Sequence, residues 1–370
     1  MLRLIASTIG KNYKTMANWT PFPGRSMASD YKPKICILAS AESSPAVLYG
    51  MYDVLSSVGV VYPDMVTGVP GEEILDVKIV AALNEPFRCF GNVMVEPHAG
   101  IDDITTTDAV IVCDMYTPID SPPQGSYPQQ VEWLKSMHDK QAILTSVCSG
   151  SAVLAETGLL NGLAVSGHWA YRHMFRKSYP KVNWCEDSVL SLSGVKDRII
   201  TAGGVTAWQG LVLFLIEHFC GRQHAVNTAK VHLLTGHTNG QLPYSVMTKN
   251  ELHNDAIIKD CQAWIALNFT LPHPVDKMIE YSGLQPRTFA RRFKAATGYA
   301  PLDYVQELRV DSAKTMLESE IIGIDEISSN VGYEDIASFR RLFKRKTGLT
   351  PMDYRKKFAG IIGQSIRGID

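Results

Sequence analysis

At 370 residues the chain is too long for one ordinary core and long enough for two domains. A composition 45% hydrophobic and 20% charged excludes a disordered or repetitive chain, and a formal charge of −1 carries no bulk signal of a polyanionic partner. Seven cysteines (Cys36, Cys89, Cys113, Cys148, Cys185, Cys220, Cys261), none in a C-x-x-C pair, fit a reduced cytoplasmic compartment, and no apolar run is long enough for a membrane helix.

Residues 1–33 contain Arg3, Lys11 and Lys14 but no long apolar core. They read as a disordered leader, or as a start placed too early, with Met16 or Met27 the true one. From 34 to 235 short apolar runs alternate with amphipathic stretches, the pattern of an α/β domain with a mainly parallel sheet. Residues 35–39, 109–113, 142–147 and 198–202 read as buried strands, and 49–57, 131–140 and 208–219 as covering helices. Residues 236–255 have no sustained period and read as a connection. An all-α domain is expected over 256–358 and a short tail over 359–370; nothing in the chain marks a cofactor or metal site. Ala256 to Asp370 carries a net charge of +3, against −4 for the rest.

Within the α/β part, Thr145-Ser-Val-Cys148-Ser-Gly150 follows a strand and leads into Ser151 to Glu156. A cysteine between a strand and a helix is how a nucleophile is mounted on a sharp elbow, near a helix N-terminus that lowers a thiol pKa. His168, twenty residues on, offers a base, so the two make a candidate dyad. A lone buried cysteine and a satisfied histidine are the plainer reading of the same residues.

In the last third a string recurs at a spacing of fifty residues. Aligned without a gap, 289–304 and 339–354 share nine of sixteen residues, in the form Phe-x-Arg-x-Phe-Lys, then Thr-Gly-x-x-Pro-x-Asp-Tyr. Phe289 and Phe293, like Phe339 and Phe343, lie four apart and share one helix face, with arginines beside it. Gly298 and Gly348, each followed by a proline, stop the helix. Ahead of each copy stand a short helix and a glycine-containing turn, 275–284 and 324–333. This is the helix-turn-helix pattern, twice, with a helix from about Leu302 to Glu318 between the copies. Paired amphipathic helices with solvated arginines would not explain the repeated string.

Residues 256–358 resemble the DNA-binding domain of the AraC/XylS regulators, most specifically at Gly-Tyr-Glu-Asp-Ile-Ala-Ser-Phe-Arg-Arg-Leu-Phe-Lys (332–344) and Thr-Gly-Leu-Thr-Pro-Met-Asp-Tyr-Arg (347–355). The resemblance implies double-stranded DNA as partner, with Arg287, Ala290 and Arg291 facing the major groove from the first unit. From the second it implies Ile336, Ala337, Ser338, Arg340 and Arg341. Arg291 and Arg341 match in the repeat and suit guanine O6 and N7, while Lys294, Lys344, Arg345 and Lys346 suit phosphates. The copies differ at Ala290 against Arg340 and at Ala295-Ala296 against Arg345-Lys346, so two dissimilar operator boxes are expected, the second gripped more electrostatically.

The run 147–162, with Gly-His-Trp169 and Thr-Ala-Gly-Gly-Val-Thr-Ala207, is similar to the class I glutamine amidotransferase-like domain that precedes the DNA-binding domain in one AraC-type subgroup. Gly240-Gln-Leu-Pro-Tyr244 resembles that subgroup's connecting segment. Subgroup members carry one acid in the first helix and another after the Thr-Ala element, where this chain holds Val47 and Gly210. Cys148 and His168 are therefore expected to be vestigial, and the chain not to be an enzyme. The resemblance implies a sensor of amino acids or quaternary amines, with Glu42, Cys148, His168, Trp169 and Trp208 as pocket candidates, and a homodimer. Activation, which would add RNA polymerase as a partner, stands beside repression. The rival is a cysteine hydrolase or amidotransferase-like enzyme acting through the Cys148–His168 dyad.

Overall fold

The computed structural model describes residues 31–119, 123–185, 187–235, 240–247 and 253–358. The expected tail, and all but the last three residues of the expected leader, lie outside these. The chain divides into two compact units, Met1–Gln241 and Leu242–Asp370.

The first unit is built on strands β1 (Lys34–Leu38), β2 (Asp76–Ala81), β3 (Phe87–Cys89), β4 (Val93–Val95), β5 (Ala99–Gly100), β6 (Ala109–Val112), β7 (Ile143–Val147), β8 (Ala164–Ser166), β9 (Asn183–Cys185), β10 (Leu190–Ser193) and β11 (Ile199–Ala202). Seven of them form one sheet in the order β10-β11-β7-β6-β1-β2-β5. Every pairing in it is parallel except that of the edge strand β10 with β11. The α/β expectation therefore holds, with a mainly parallel sheet.

Pleating sends alternate residues to opposite faces, and both faces are covered. Ile35 and Ile37 of β1 point into a core with Leu48 and Met51 of α1 (Pro45–Ser56) and Leu211 and Leu215 of α6 (Trp208–Cys220). Cys36 and Leu38 point into a second core with Leu134 of α3 (Pro128–Asp139), Leu154 of α4 (Ser151–Glu156) and Phe175 of α5 (Arg172–Ser178). Helices α2 (Val61–Thr67) and α7 (Arg222–Val231) complete this unit among the described residues. The four strands read from sequence are the centre of the sheet. Strand β2, whose Asp76 and Lys78 interrupt its apolar run, was not read; pairing along the whole of β1, from Lys34↔Asp76 to Leu38↔Val80, makes it a strand.

The second unit holds α8 (Ala256–Asn268), α9 (Pro274–Ser282), α10 (Pro286–Thr297), α11 (Pro301–Ser319), α12 (Ile324–Asn330), α13 (Ile336–Thr347) and α14 (Pro351–Phe358). Four of these begin with proline, whose missing N–H costs nothing in a first turn. It has two separate cores. One gathers Ile258, Met278, Phe289, Phe293 and Tyr304; the other gathers Ile327, Phe339, Leu342, Phe343 and Tyr354. Helix α11 contributes to both, and its 19 residues span roughly 28 Å at 1.5 Å per residue.

Candidate functional site

The duplication seen in sequence is a duplication of contacts. Thr297 Oγ1 donates to the Phe293 carbonyl and accepts from the Tyr299 amide, and Thr347 does the same with Phe343 and Leu349. Tyr304 stands edge-on to Phe293 at 5.2 Å and Tyr354 to Phe343 at 5.4 Å. All four phenylalanines are fully buried. Gly298 and Gly348 take left-handed backbone at φ 82° and 75°, closing α10 and α13. The repeated residues are thus scaffold, and they hold two short helices with a basic outer face.

On those faces Arg287, Ala290, Arg291 and Lys294 of α10 are exposed, as are Ala337, Arg340, Arg341, Lys344 and Arg345 of α13, while Ile336 and Ser338 are half-buried. The start of α13 is capped by a side chain and that of α10 is not. Asp335 caps it, accepting from the Ala337 and Ser338 amides at 3.0 Å each and from the Ser338 hydroxyl at 2.6 Å. These bonds hold its carboxyl below the usual range. Arg341 donates to Ser338 Oγ at 2.8 Å and lies 3.7 Å from Asp335. The corresponding cap of α10, Gln285, makes no side-chain cap bond. Arg292, on the inner flank, grips Asp255 with two bonds of 2.7 and 2.9 Å and so braces α10 against the start of α8.

The extra basic residues of the second copy are partly engaged within the unit. Lys346 pairs with Glu307 of α11 at 2.7 Å and is 21% exposed, Arg345 reaches Gln306 at 3.4 Å, and Arg340 lies 3.6 Å from Asp325 of α12. Lys346 is therefore a brace between α11 and α13, where sequence had offered it as a phosphate contact.

In the first unit the loops after β1, β6 and β7 carry Glu42, Asp114 and Cys148, at the C-terminal ends of adjacent strands where the sheet order reverses direction. Open α/β sheets take ligands at such crevices. Cys148 has φ 55°, the strained geometry of an elbow, and a Cβ on Gly150 would stand 2.3 Å from the Cys113 carbonyl, so the turn admits only glycine there. The thiol is 4% exposed. Burial, then the Asp114 carboxylate, push it up to about 12. Burial thus works against the activation expected from a helix N-terminus, because a buried thiolate loses its hydration.

His168 is pushed down to about 4 by burial, and its Nδ1 accepts from the Ala170 amide at 3.1 Å. The neutral ring then carries its proton on Nε2 and has no free lone pair to receive another. None of the hydrogen bonds among the described residues joins it to Cys148. The His168 ring lies tilted beside that of Trp169, with centroids 5.3 Å apart. The Trp208 ring lies against Gly50 of α1, and Glu42 stands beside the phenol of Tyr127.

The acids expected in this kind of site are absent from their places: Val47 is buried in the core, and a side chain at Gly210 would meet open space. A carboxyl that sequence reasoning missed lies nearby instead. Asp114 is 7% exposed, accepts from the Ser44 amide at 3.3 Å and from the Cys113 thiol at 3.2 Å, and is raised by burial to about 6. An aspartate two residues past a strand is commonplace in sequence, so only burial distinguishes it.

Two family models match the chain: a helix-turn-helix domain over 278–357 and the DJ-1/PfpI family over 47–218. The chain joins an amidotransferase-like DJ-1/PfpI domain to an AraC-type helix-turn-helix domain. The HTH-type transcriptional regulator GbdR of Pseudomonas aeruginosa is 26% identical over 67% of this chain, which spans 65% of that relative's length. The regulator CdhR of the same organism is 24% identical over 78% of this chain and 84% of its own. The isonitrile hydratase of Pseudomonas putida, 26% identical, matches 50% of this chain and 69% of its own. HTH-type regulators and an enzyme thus both resemble this chain, and fold alone does not assign chemistry to it. Among the described residues no helix is long and apolar enough to cross a membrane.

Proposed function

We propose that the chain is a sequence-specific DNA-binding transcription regulator of the cytoplasm, whose first unit receives a small-molecule signal and pairs with a second copy. The observation that carries this reading is the pair of exposed arginines, Arg291 and Arg341, at matching places on two helices that rest on separate cores. Arg287, Ala290, Ile336, Ala337, Ser338 and Arg340 complete the groove-facing set, and Lys294, Lys344 and Arg345 contact phosphates. The relatives named as regulators support the same assignment, and an activating role would bring in RNA polymerase.

The test is binding of the full chain to duplexes selected from a random pool. Arg341→Ala should weaken the selected duplex by about 1–3 kcal/mol and relax preference at one position of one box, and Arg291→Ala should do so in the other. Equal weakening on selected and scrambled duplexes would assign these arginines to phosphate.

For the signal, amino acids and quaternary amines are the proposed class, taken up by the crevice bearing Glu42, Cys148, His168 and Trp169. A ligand that binds the folded form raises its melting temperature by mass action, so a thermal-shift screen of the full chain checks this. No response to any of them would favour a structural first unit. The cysteine-enzyme alternative draws on the strained Cys148 elbow, but a thiol pushed to about 12 and a histidine without a free lone pair speak against it.

A further inference from the structure

Gln241 is the last residue of the first unit and is 4% exposed. Its Nε2 donates to the carbonyls of Gly167 at 3.0 Å and Ser188 at 2.9 Å, and its Oε1 accepts from the Trp169 amide at 3.3 Å. Its backbone N–H donates to the Asp187 carbonyl at 3.3 Å. A socket is cut for it: a Cβ on Gly203, just past β11, would stand 2.1 Å from Gln241 Nε2, and one on Gly240 would stand 2.2 Å from the Asp187 carbonyl. A residue that merely connects two units would run over the surface; this one buries an amide with both protons and its oxygen bonded. The two residues it clasps, Gly167 and Trp169, flank His168.

Four residues further on the chain is held again, inside the second unit. Lys314 Nζ donates to the Ser245 carbonyl, and the Met247 amide donates to Asp311 Oδ2 at 2.7 Å. Asp311 and Lys314 both belong to α11 and pair at 3.3 Å, with the lysine side chain 6% exposed. Helix α11 in turn grips α13 through Glu307–Lys346 and Gln306–Arg345.

We propose that Gln241 is the coupling residue of the chain. A displacement of the Gly167–Trp169 loop is passed through Gln241 and residues 242–247 to α11, and from α11 to the helix that bears Arg341. The purpose of this link rests on the regulator reading above, but the link is measurable without DNA or effector. Because coupling between two sites is reciprocal, a disturbance at either end must be felt at the other.

Hydrogen exchange on the full chain, read by mass spectrometry, provides the test. Gln241→Glu keeps an acceptor for Trp169 and loses both donors. It should speed exchange about tenfold or more at 167–171 and also at 242–247 and the Asp311–Lys314 turn of α11. Lys314→Met, made at the other end, should speed exchange at 167–171 as well as locally. Changes confined to each variant's own side of residue 241 overturn the proposal, and either variant alone suffices to show them. Failure of the wild-type chain to select any duplex counts against the regulator reading and leaves this readout untouched.

Discussion

Cys148 combines two features that pull in opposite directions. Its φ of 55° is the strain of a nucleophile mount, yet its thiol is buried and raised to about 12. Reactivity follows the thiolate and its access, so burial decides. A thiol-directed probe at neutral pH should label half-buried Cys185 first and Cys148 only on unfolding, as read by peptide mapping. Rapid labelling of Cys148 that is lost in His168→Ala would restore the enzyme reading. Asp114 gives a second residue-scale prediction. Its folded pKa of about 6 stands above the ordinary 3.8, so its ionisation opposes folding. The penalty is absent below about pH 4, grows through pH 4–6 and is complete above, at most about 3 kcal/mol. Asp114→Asn, which can still accept from Ser44 and Cys113, should therefore raise the melting temperature at pH 7 and change it little at pH 4. An equal shift at both would remove the carboxyl from the pH dependence.

At the scale of elements, the two helix-turn-helix units show how a repeated string becomes repeated packing. Each second phenylalanine is fully buried, edge-on to a tyrosine and four residues before a threonine that bonds back to it. Phe343→Ala should cost about 3–5 kcal/mol by leaving a cavity, measured by denaturant unfolding with an unchanged slope. A loss under 1 kcal/mol would mean that the second core collapses around the gap. Gly332 has φ 85°, and a Cβ there would stand 2.4 Å from the Thr270 carbonyl. Its replacement by alanine should therefore cost more than a loop glycine ordinarily does. The helix stops and phenylalanine faces were legible because they depend on spacings of three to ten residues. Strand β2 was not, because its evidence is the strand beside it.

For the molecule as a whole, the extra charge of the second unit matters less than its sequence suggests. Glu307 takes up Lys346, and Gln306 and Asp325 reach Arg345 and Arg340. The exposed lysines of the outer faces, Lys294 and Lys344, should carry the salt dependence. Lys344→Ala should weaken binding alike on selected and scrambled duplexes and lower the slope of log affinity against log salt by about one. The same loss from Lys346→Ala at unchanged stability would show that the lysine leaves Glu307 for phosphate.

The sequence by itself determined the α/β unit, the all-α unit and the doubled helix-turn-helix, since alternation, helical period and a recurring string are local properties of the chain. Only the tertiary structure decided which polar groups are free. It buried the Cys148 thiol, took the His168 lone pair with a backbone amide, and set Asp114 where no acid was expected. It also turned Gln241, one polar residue in an aperiodic segment, into a fully bonded anchor. Burial and hydrogen-bond partners come from residues distant in sequence, so no window of the chain contains them.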